Sequence, residues 1–426
     1  MDAMKDNEYI FNLKLSKLIG LYQILDPNTI QIFGYNVYHI GIVFVSLYMM
    51  AISLLSLIRF YYLINNINEY TFYLGCVLNY MFSCYKIIQI VYCSNDIWKC
   101  TDITSIRFLS YQYYDKSIFK NWQVRSIRLT KIYVSLSFIV TLFWLIISKS
   151  LSKNIFTSKN LDGSLSKYRM NIFNLYLIAS DETYNRYFNL FYLIELIVGV
   201  AFMYFSTLFD VLMVMMCFSF LCQLETICDA MKSLGHQCSK NVLNICKEIK
   251  SEIRHADFDD LKAIINDHQN VMKKMNDYYI IFQSVMLTQI FVASITHICI
   301  WFNITTGFFG DKIGESVLSI KLFIILPLFT FQLLMTCRLF GTINEKKDSI
   351  IYMLYCSDWT GKDIKIKKLI LYTMCMNNGN QMKLKFTVTK VLNLEMFTRT
   401  IRLCYSIFSM LTNYKRNINQ LDEIND

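Results

Sequence analysis

The chain has 426 residues, 54% of them hydrophobic, only 17% charged, and two prolines. Soluble globular proteins run near 25% charged, so this composition excludes an ordinary soluble domain and points to a helical membrane protein. The net charge of +10 would imply a nucleic-acid partner only if the basic residues gathered on one soluble face; they segregate between connections instead, and no nucleic-acid partner is expected.

Residues 1–34 mix acidic and basic side chains and lack the apolar core of a cleavable secretory signal. They read as a cytosolic N-terminal segment, with the first span acting as its own insertion signal. That span is Tyr35–Ile58, 24 residues without Asp, Glu, Lys or Arg, longer than the ~20 needed to cross a bilayer. A short polar turn leads to a second span, Tyr70–Cys93, whose only charge is Lys86. Residues 94–130 are polar and basic. The third span is Ile132–Ser148, followed by a polar loop over 149–186.

Tyr187–Leu224 is 38 residues interrupted only by Glu195 and Asp210. At 1.5 Å per residue it would reach about 57 Å, against a hydrocarbon core of about 30 Å. No turn residues divide it, so it reads as one long helix that crosses and continues beyond the bilayer. Residues 225–278 carry dense charge with apolar residues at helical spacing, a helical connection that extends this helix and returns as another. The fifth span is Tyr279–Phe302. The sixth is Ser316–Cys337, with Lys321 and an expected kink at Pro327. Residues 342–385 are polar and basic, with an amphipathic helix expected at Lys362–Met376 and a turn at Asn377–Asn380. Grouped by role, 35–224 holds the first four spans, 225–278 a connection, 279–341 the next two spans, 342–385 a second connection, 386–414 the last helix and 415–426 a tail.

The last helix, Leu392–Tyr414, has two unlike faces at 3.6 residues per turn. Glu395, Arg399, Arg402, Ser406, Met410 and Asn413 form one stripe; Phe397, Ile401, Cys404, Phe408 and Leu411 lie opposite. Such a helix is either a surface helix of a soluble protein or, at membrane depth, the wall of a water-filled path. The six apolar spans elsewhere favour the path. Met410 would then form an apolar constriction and Asn413 a polar rim; the other reading makes Met410 a core filler. Glu395, Arg399 and Arg402 either line a vestibule or pair with one another.

Lys and Arg number 25 in the connections 1–34, 95–130, 225–278 and 342–385, against 9 in the opposite set. The N-terminus is therefore expected in the cytosol and the C-terminus outside. The fold class is an all-α membrane protein of seven transmembrane helices with cytosolic helical extensions. This orientation is the reverse of a G-protein-coupled receptor, and no Asp-Arg-Tyr or Asn-Pro-x-x-Tyr motif occurs where one would stand. Internal repeats with broken helices, the mark of many transporters, are not apparent. The one Asn-x-Ser/Thr sequon, at Asn303, falls toward the outer side. The fourteen cysteines sit mostly in apolar spans and connections assigned to the cytosol, and read as small buried hydrophobes. With no metal spacing, phosphate loop or nucleophile–base set, neither cofactor, metal nor enzymatic reaction is expected.

The last helix, Leu392-x-Leu394-Glu395-x-Phe397…Ile401-Arg402-x-x-Tyr405-Ser406-x-Phe408-x-x-Leu411, resembles the C-terminal signature of insect odorant receptors, with Ile407 where a second Tyr is usual. Leu18-Ile19-Gly20-Leu21-Tyr22 is similar to that family's early Leu-Gly-Leu-Trp stretch, and Asp358-Trp359 before the basic helix also fits. The Thr-Tyr…Gln-Phe pattern of the gustatory branch is missing from the last helix.

The resemblance implies a ligand-gated, non-selective cation channel in the plasma membrane, in the dendrites of olfactory sensory neurons. It implies assembly with odorant-receptor coreceptor subunits into a heterotetramer, with the lipid bilayer and permeating cations as further partners. The 54-residue connection at 225–278 matches the short form of the odour-tuning subunit. Family pore positions fall on Met410, Asn413 and Tyr414. The family's pocket lies in the outer halves of the second, third, fourth and sixth spans. Candidates there are Tyr73, Val77, Tyr80 and Met81; Phe143, Trp144 and Ile147; Phe188, Phe191, Tyr192 and Glu195; and Leu322. Each could equally serve bundle packing. Aromatic side chains fill apolar pockets, and Tyr or Trp adds one hydrogen bond, which suits a small apolar volatile with a weak polar group. Glu195 either orients such a group or satisfies a neighbour such as Lys321.

Overall fold

The structure, a computed structural model, describes residues 8–63, 67–111, 115–153, 155–159, 165–175, 179–234, 247–308, 313–379 and 391–425. The described helices are α1 (Leu13–Leu18), α2 (Leu21–Leu25), α3 (Val37–Leu63), α4 (Ile67–Tyr92), α5 (Ser94–Cys100), α6 (Lys116–Leu151), α7 (Asp181–Arg186), α8 (Phe188–Ser233), α9 (Lys247–Phe308), α10 (Ile313–Tyr355), α11 (Ile364–Gly379) and α12 (Leu394–Asn425). Two small antiparallel hairpins, 31–36 and 155–169, are the only named sheets among the described residues.

α8 is the mast of the bundle. No Pro or run of turn residues breaks its 46 residues, so it runs for about 69 Å at 1.5 Å per residue. From Leu208 to Leu224 every residue is buried. A helix apolar all round belongs in a core, and α4, α6, α9 and α10 pack around this one. α3 packs outside on α4, and α12 lies against α9 and α10.

Among the described residues, six helices are long and apolar enough to cross a membrane: α3, α4, α6, α8, α9 and α10. They present large apolar side chains outward, among them Phe44, Phe138, Leu193, Phe291 and Phe323. α12 is too polar to join this set.

Several boundaries differ from the sequence reading. The third span is the second half of a helix that begins at Lys116, not a free-standing segment after a basic connection. Phe119, Trp122, Ser126, Thr130, Tyr133, Ser137, Val140, Trp144 and Ser148 form one unbroken buried stripe, so the basic residues 116–130 are the exposed face of the same helix. Asp115 caps its start, accepting from the Ser117 amide at 2.8 Å and hydroxyl at 2.6 Å, and these bonds hold its carboxyl below the usual range. The loop 149–186 contains the 155–169 hairpin and α7. The turn expected at Asn377–Asn380 is not formed at its start: α11 continues through Gly379, and Asn380 lies outside the described residues. α10 runs through Pro327. α12 starts at Leu394, where the Asn393 side chain caps the Met396 amide at 3.0 Å, and extends beyond Tyr414 to Asn425. Asn303 is no surface acceptor: it is buried in α9, donating to Thr71 Oγ1 and Cys299 O, both at 2.9 Å.

The N-terminal segment is packed down. Tyr9, Ile10, Leu21 and Ile24 are buried, and the Ile10 amide donates to Thr104 O at 2.9 Å. Gly20 joins α1 to α2 with φ +82°, a left-handed position that other L residues resist. The Tyr204 hydroxyl donates to Ile19 O at 2.9 Å and ties this joint to α8. At the same end, the Asp267 carboxylate accepts from the Ser110 and Tyr111 amides, pinning that loop to α9.

The bundle interior holds a buried charge pair. Lys86 Nζ of α4 lies 3.4 Å from Asp210 Oδ1 of α8, between the rings of Phe82 and Phe209. Asp210 also accepts from the Tyr133 hydroxyl of α6 and from Gln332 Nε2 of α10 at 2.6 Å. One carboxylate thus joins four helices. Removing one partner from a buried pair costs about 3–5 kcal/mol because the other charge is stranded. Asp210→Ala should therefore lower the melting temperature of the detergent-solubilised protein and its surface expression. Lys86→Met combined with Asp210→Leu should recover most of the loss. Equal damage in the double variant would show that charge pairing is not what matters here.

Candidate functional site

A cavity of about 60 Å³ lies between α4, α6, α8, α9 and α10, toward the end of the bundle that carries the 155–169 hairpin. α4 contributes Phe72, Gly75, Cys76, Asn79 and Tyr80; α6 contributes Trp144; α8 contributes Phe202. Thr296, Cys299, Ile300 and Asn303 come from α9, and Leu322, Ile325 and Phe329 from α10. The last wall is Phe173, from the loop that precedes α7.

The aromatic walls set the geometry. Phe173 stacks on Trp144 with ring centres 5.8 Å apart and meets the Tyr80 ring edge-on at 5.4 Å. Phe202 meets Tyr80 edge-on from the other side, also at 5.4 Å. Such pairs contribute about 0.5–1.5 kcal/mol each beyond the area they bury. Tyr80 Oη and Trp144 Nε1 are buried with no hydrogen-bond partner among the described residues. An unmet buried donor costs about 1–3 kcal/mol.

Phe173 is held by an unusual loop. Glu195 of α8 is buried, and its carboxylate accepts from the Phe173 amide at 2.6 Å and the Leu175 amide at 2.8 Å. Lys321 of α10, also buried, donates to the Asn171 carbonyl at 2.9 Å and lies 3.5 Å from the Ile172 carbonyl. Asn171 Nδ2 donates to the Tyr184 hydroxyl at 2.8 Å, and Asn174 has φ +55°. Two charges from two helices thus grip successive peptide groups of one turn. Beneath it, Gly199 leaves room for the ring: a Cβ there would stand 2.8 Å from Phe173 Cε2.

Of the residues singled out in the sequence, Tyr80, Trp144 and Leu322 line the cavity. Tyr73 and Val77 are buried but lie off its lining, and Met81 and Ile147 are half-buried. Phe143 points outward, 53% exposed. Phe188, Phe191 and Tyr192 belong to a separate aromatic cluster with Tyr168 and Tyr184. Glu195 serves the loop, not the cavity lining. The sequence reading omitted the fifth span, although Thr296, Cys299, Ile300 and Asn303 stand at helical spacing on one face. For Phe173 no local signal existed, since its place follows from Glu195, Lys321 and Gly199.

In α12, Met396, Thr400 and Cys404 are buried, with Cys404 Sγ donating to Ser294 O of α9 at 3.4 Å. Glu395, Arg399, Arg402, Ser406, Met410 and Asn413 are all exposed on the single chain. Arg399 and Glu395 pair with each other at 2.5 Å. The Tyr414 side chain lies outside the described residues.

Long apolar helices around a largely aromatic cavity are the architecture of a helical membrane protein with internal space between its spans. Residues 66–405 match the 7tm odorant receptor family, and the chain belongs to that family. It is a membrane-spanning receptor and not an enzyme. The fold is similar to that of the insect olfactory receptor OR5 from Machilis hrabei, with TM-score 0.70 and 14% identity over 93% of this chain and 97% of that one. It is likewise similar to the structure of that receptor in complex with eugenol, with TM-score 0.69 and 13% identity over 94% of this chain and 98% of that one. No protein of curated function matches the sequence.

Replacing Glu195 with Gln leaves one acceptor for the two amides it now serves. Hydrogen exchange at the Phe173 and Leu175 amides should accelerate in Glu195→Gln by roughly tenfold or more, the equivalent of one charged hydrogen bond of about 1.5–3 kcal/mol. Unchanged protection would mean that the loop is held by its apolar contacts.

Proposed function

We propose that the chain is an odour-tuning subunit of a ligand-gated, non-selective cation channel, assembled as a heterotetramer with the odorant-receptor coreceptor. The single observation that carries this reading is the largely aromatic cavity between α4, α6, α8, α9 and α10, with Tyr80 and Trp144 in its walls. It suits an apolar volatile with one oxygen, such as an alcohol, aldehyde, ester or terpenoid. The similar receptor solved with eugenol supports the same ligand class. The channel sits in the plasma membrane, in the dendrites of olfactory sensory neurons. Its N-terminus and the 225–278 and 342–385 connections are cytosolic, and its C-terminal tail is outside, as the bias of Lys and Arg argues.

The pore is lined by α12. Its exposed stripe has no covering element among the described residues, while its opposite face is packed on α9. Four such stripes around an axis would enclose a wet path, with Met410 as the apolar constriction and Ser406, Asn413 and Tyr414 along its wall. Ligand in the cavity shifts the helices that carry α12, chiefly α9 and α10, and opens that path.

Co-expression with the coreceptor and recording against an odour panel that includes eugenol tests this directly. Odour-evoked cation current should require both chains. Trp144→Ala should raise the half-maximal concentration by roughly tenfold or more, as expected for a buried aromatic anchor, with normal surface expression. A wild-type current that survives omission of this chain, or dose–response curves unmoved by Trp144→Ala, would count against the assignment. Met410→Ala should change ion permeability or the closed-state leak without loss from the surface. Identical permeability ratios would remove Met410 from the pore.

A further inference from the structure

We infer that the binding site has a second compartment behind the Phe173 ring, which takes the hydrocarbon tail of ligands too long for the main cavity. The inference rests on the ligand-cavity reading above and deepens it. A smaller cavity of about 20 Å³ lies beside the main one and shares four walls with it: Trp144, Phe173, Phe202 and Ile325. Only side chains divide the two spaces. Three of these walls stand on helices. Phe173 alone stands on the turn gripped by Glu195 and Lys321, and its ring occupies the niche left by Gly199. The position of one loop ring therefore sets how much of the combined space a ligand can use.

The lining decides what enters. Val140 and Leu145 of α6 and Met203 of α8 are apolar. Thr141 is the remaining polar side chain there, and its hydroxyl already donates to Ser137 O at 2.7 Å. The walls it does not share offer nothing to a polar group, so it accepts methylenes. The main cavity, lined by Asn79, Tyr80, Thr296 and Asn303 as well, is left to the oxygen-bearing end of the ligand. The main cavity, at about 60 Å³, has room for only about four to six water-sized centres. With Phe173 in place the site favours short chains; displacing it joins the compartments and admits longer ones. The ligand class is a straight or lightly branched aliphatic molecule with one terminal oxygen, its length limited by Phe173.

The test uses the full chain co-expressed with the coreceptor and the primary alcohols from n-butanol to n-dodecanol. Phe173→Ala should move the optimum to longer homologues by about two methylenes, each worth roughly tenfold or more in sensitivity. Phe173→Leu, which keeps an aliphatic side chain and guards against a folding defect, should give a smaller shift in the same direction. Adding Leu145→Phe, which fills the compartment from its far wall, should cancel the shift and leave the shortest alcohols unaffected. An optimum that stays put in both Phe173 variants, while Trp144→Ala still changes sensitivity, overturns the compartment and leaves the main cavity standing. Loss of every response to Trp144 as well as Phe173 substitution fells both readings. A wild-type channel with no length dependence across the series overturns the compartment too.

Discussion

A bilayer offers no water to a buried polar group, so each one must find its partner inside the protein. In this chain the constraint falls on two carboxylates of the central helix. Glu195 and Asp210 lie fifteen positions apart on α8, about 22 Å along its axis. Asp210 draws together Lys86, Tyr133 and Gln332 from three other helices. Glu195 takes the amides of an incoming loop. The first clamps the bundle; the second shapes the chamber above it.

The chamber follows from how those demands are met. A charged residue inside a span is costly, and nature retains it where it orders something. Here Glu195 and Lys321 do not face each other as a simple pair. They hold opposite poles of the same peptide turn, the N–H groups and the carbonyls. That arrangement delivers a phenyl ring into a space that helices alone would leave open. A third cavity of about 30 Å³ shares Asn79, Phe202 and Phe329 with the main chamber and is lined by Lys86 and Gln332 below. The chamber and the Asp210 clamp are thus neighbours, separated by a few side chains.

The last helix shows the same constraint from the other side. Its Met396, Thr400 and Cys404 face is satisfied within the chain. Its other face carries charge, hydroxyl, thioether and amide, with nothing among the described residues to cover it. An apolar bundle can hold such a face at membrane depth only next to water or another subunit, which is why function is proposed to lie between chains and not within one.

The sequence by itself marked the six apolar spans, because length and apolar run are local properties. It also showed that α8 is unbroken, since no proline or run of turn residues divides it, and that α12 is two-faced. Tyr80 and Trp144, two of the candidates the sequence offered, line the cavity, but most of the other aromatic candidates lie elsewhere, because an aromatic side chain in a span serves packing as readily as a pocket. The helical character of 116–130 was present in the stripe from Phe119 to Ser148 but was masked by its basic outer face. Only the tertiary structure decided that Phe173 closes the chamber, that α9 supplies one wall, that Phe143 faces outward and that Glu195 serves a loop. Each of these depends on which segment meets which across more than twenty residues of chain, and periodicity along one helix carries no record of its neighbour.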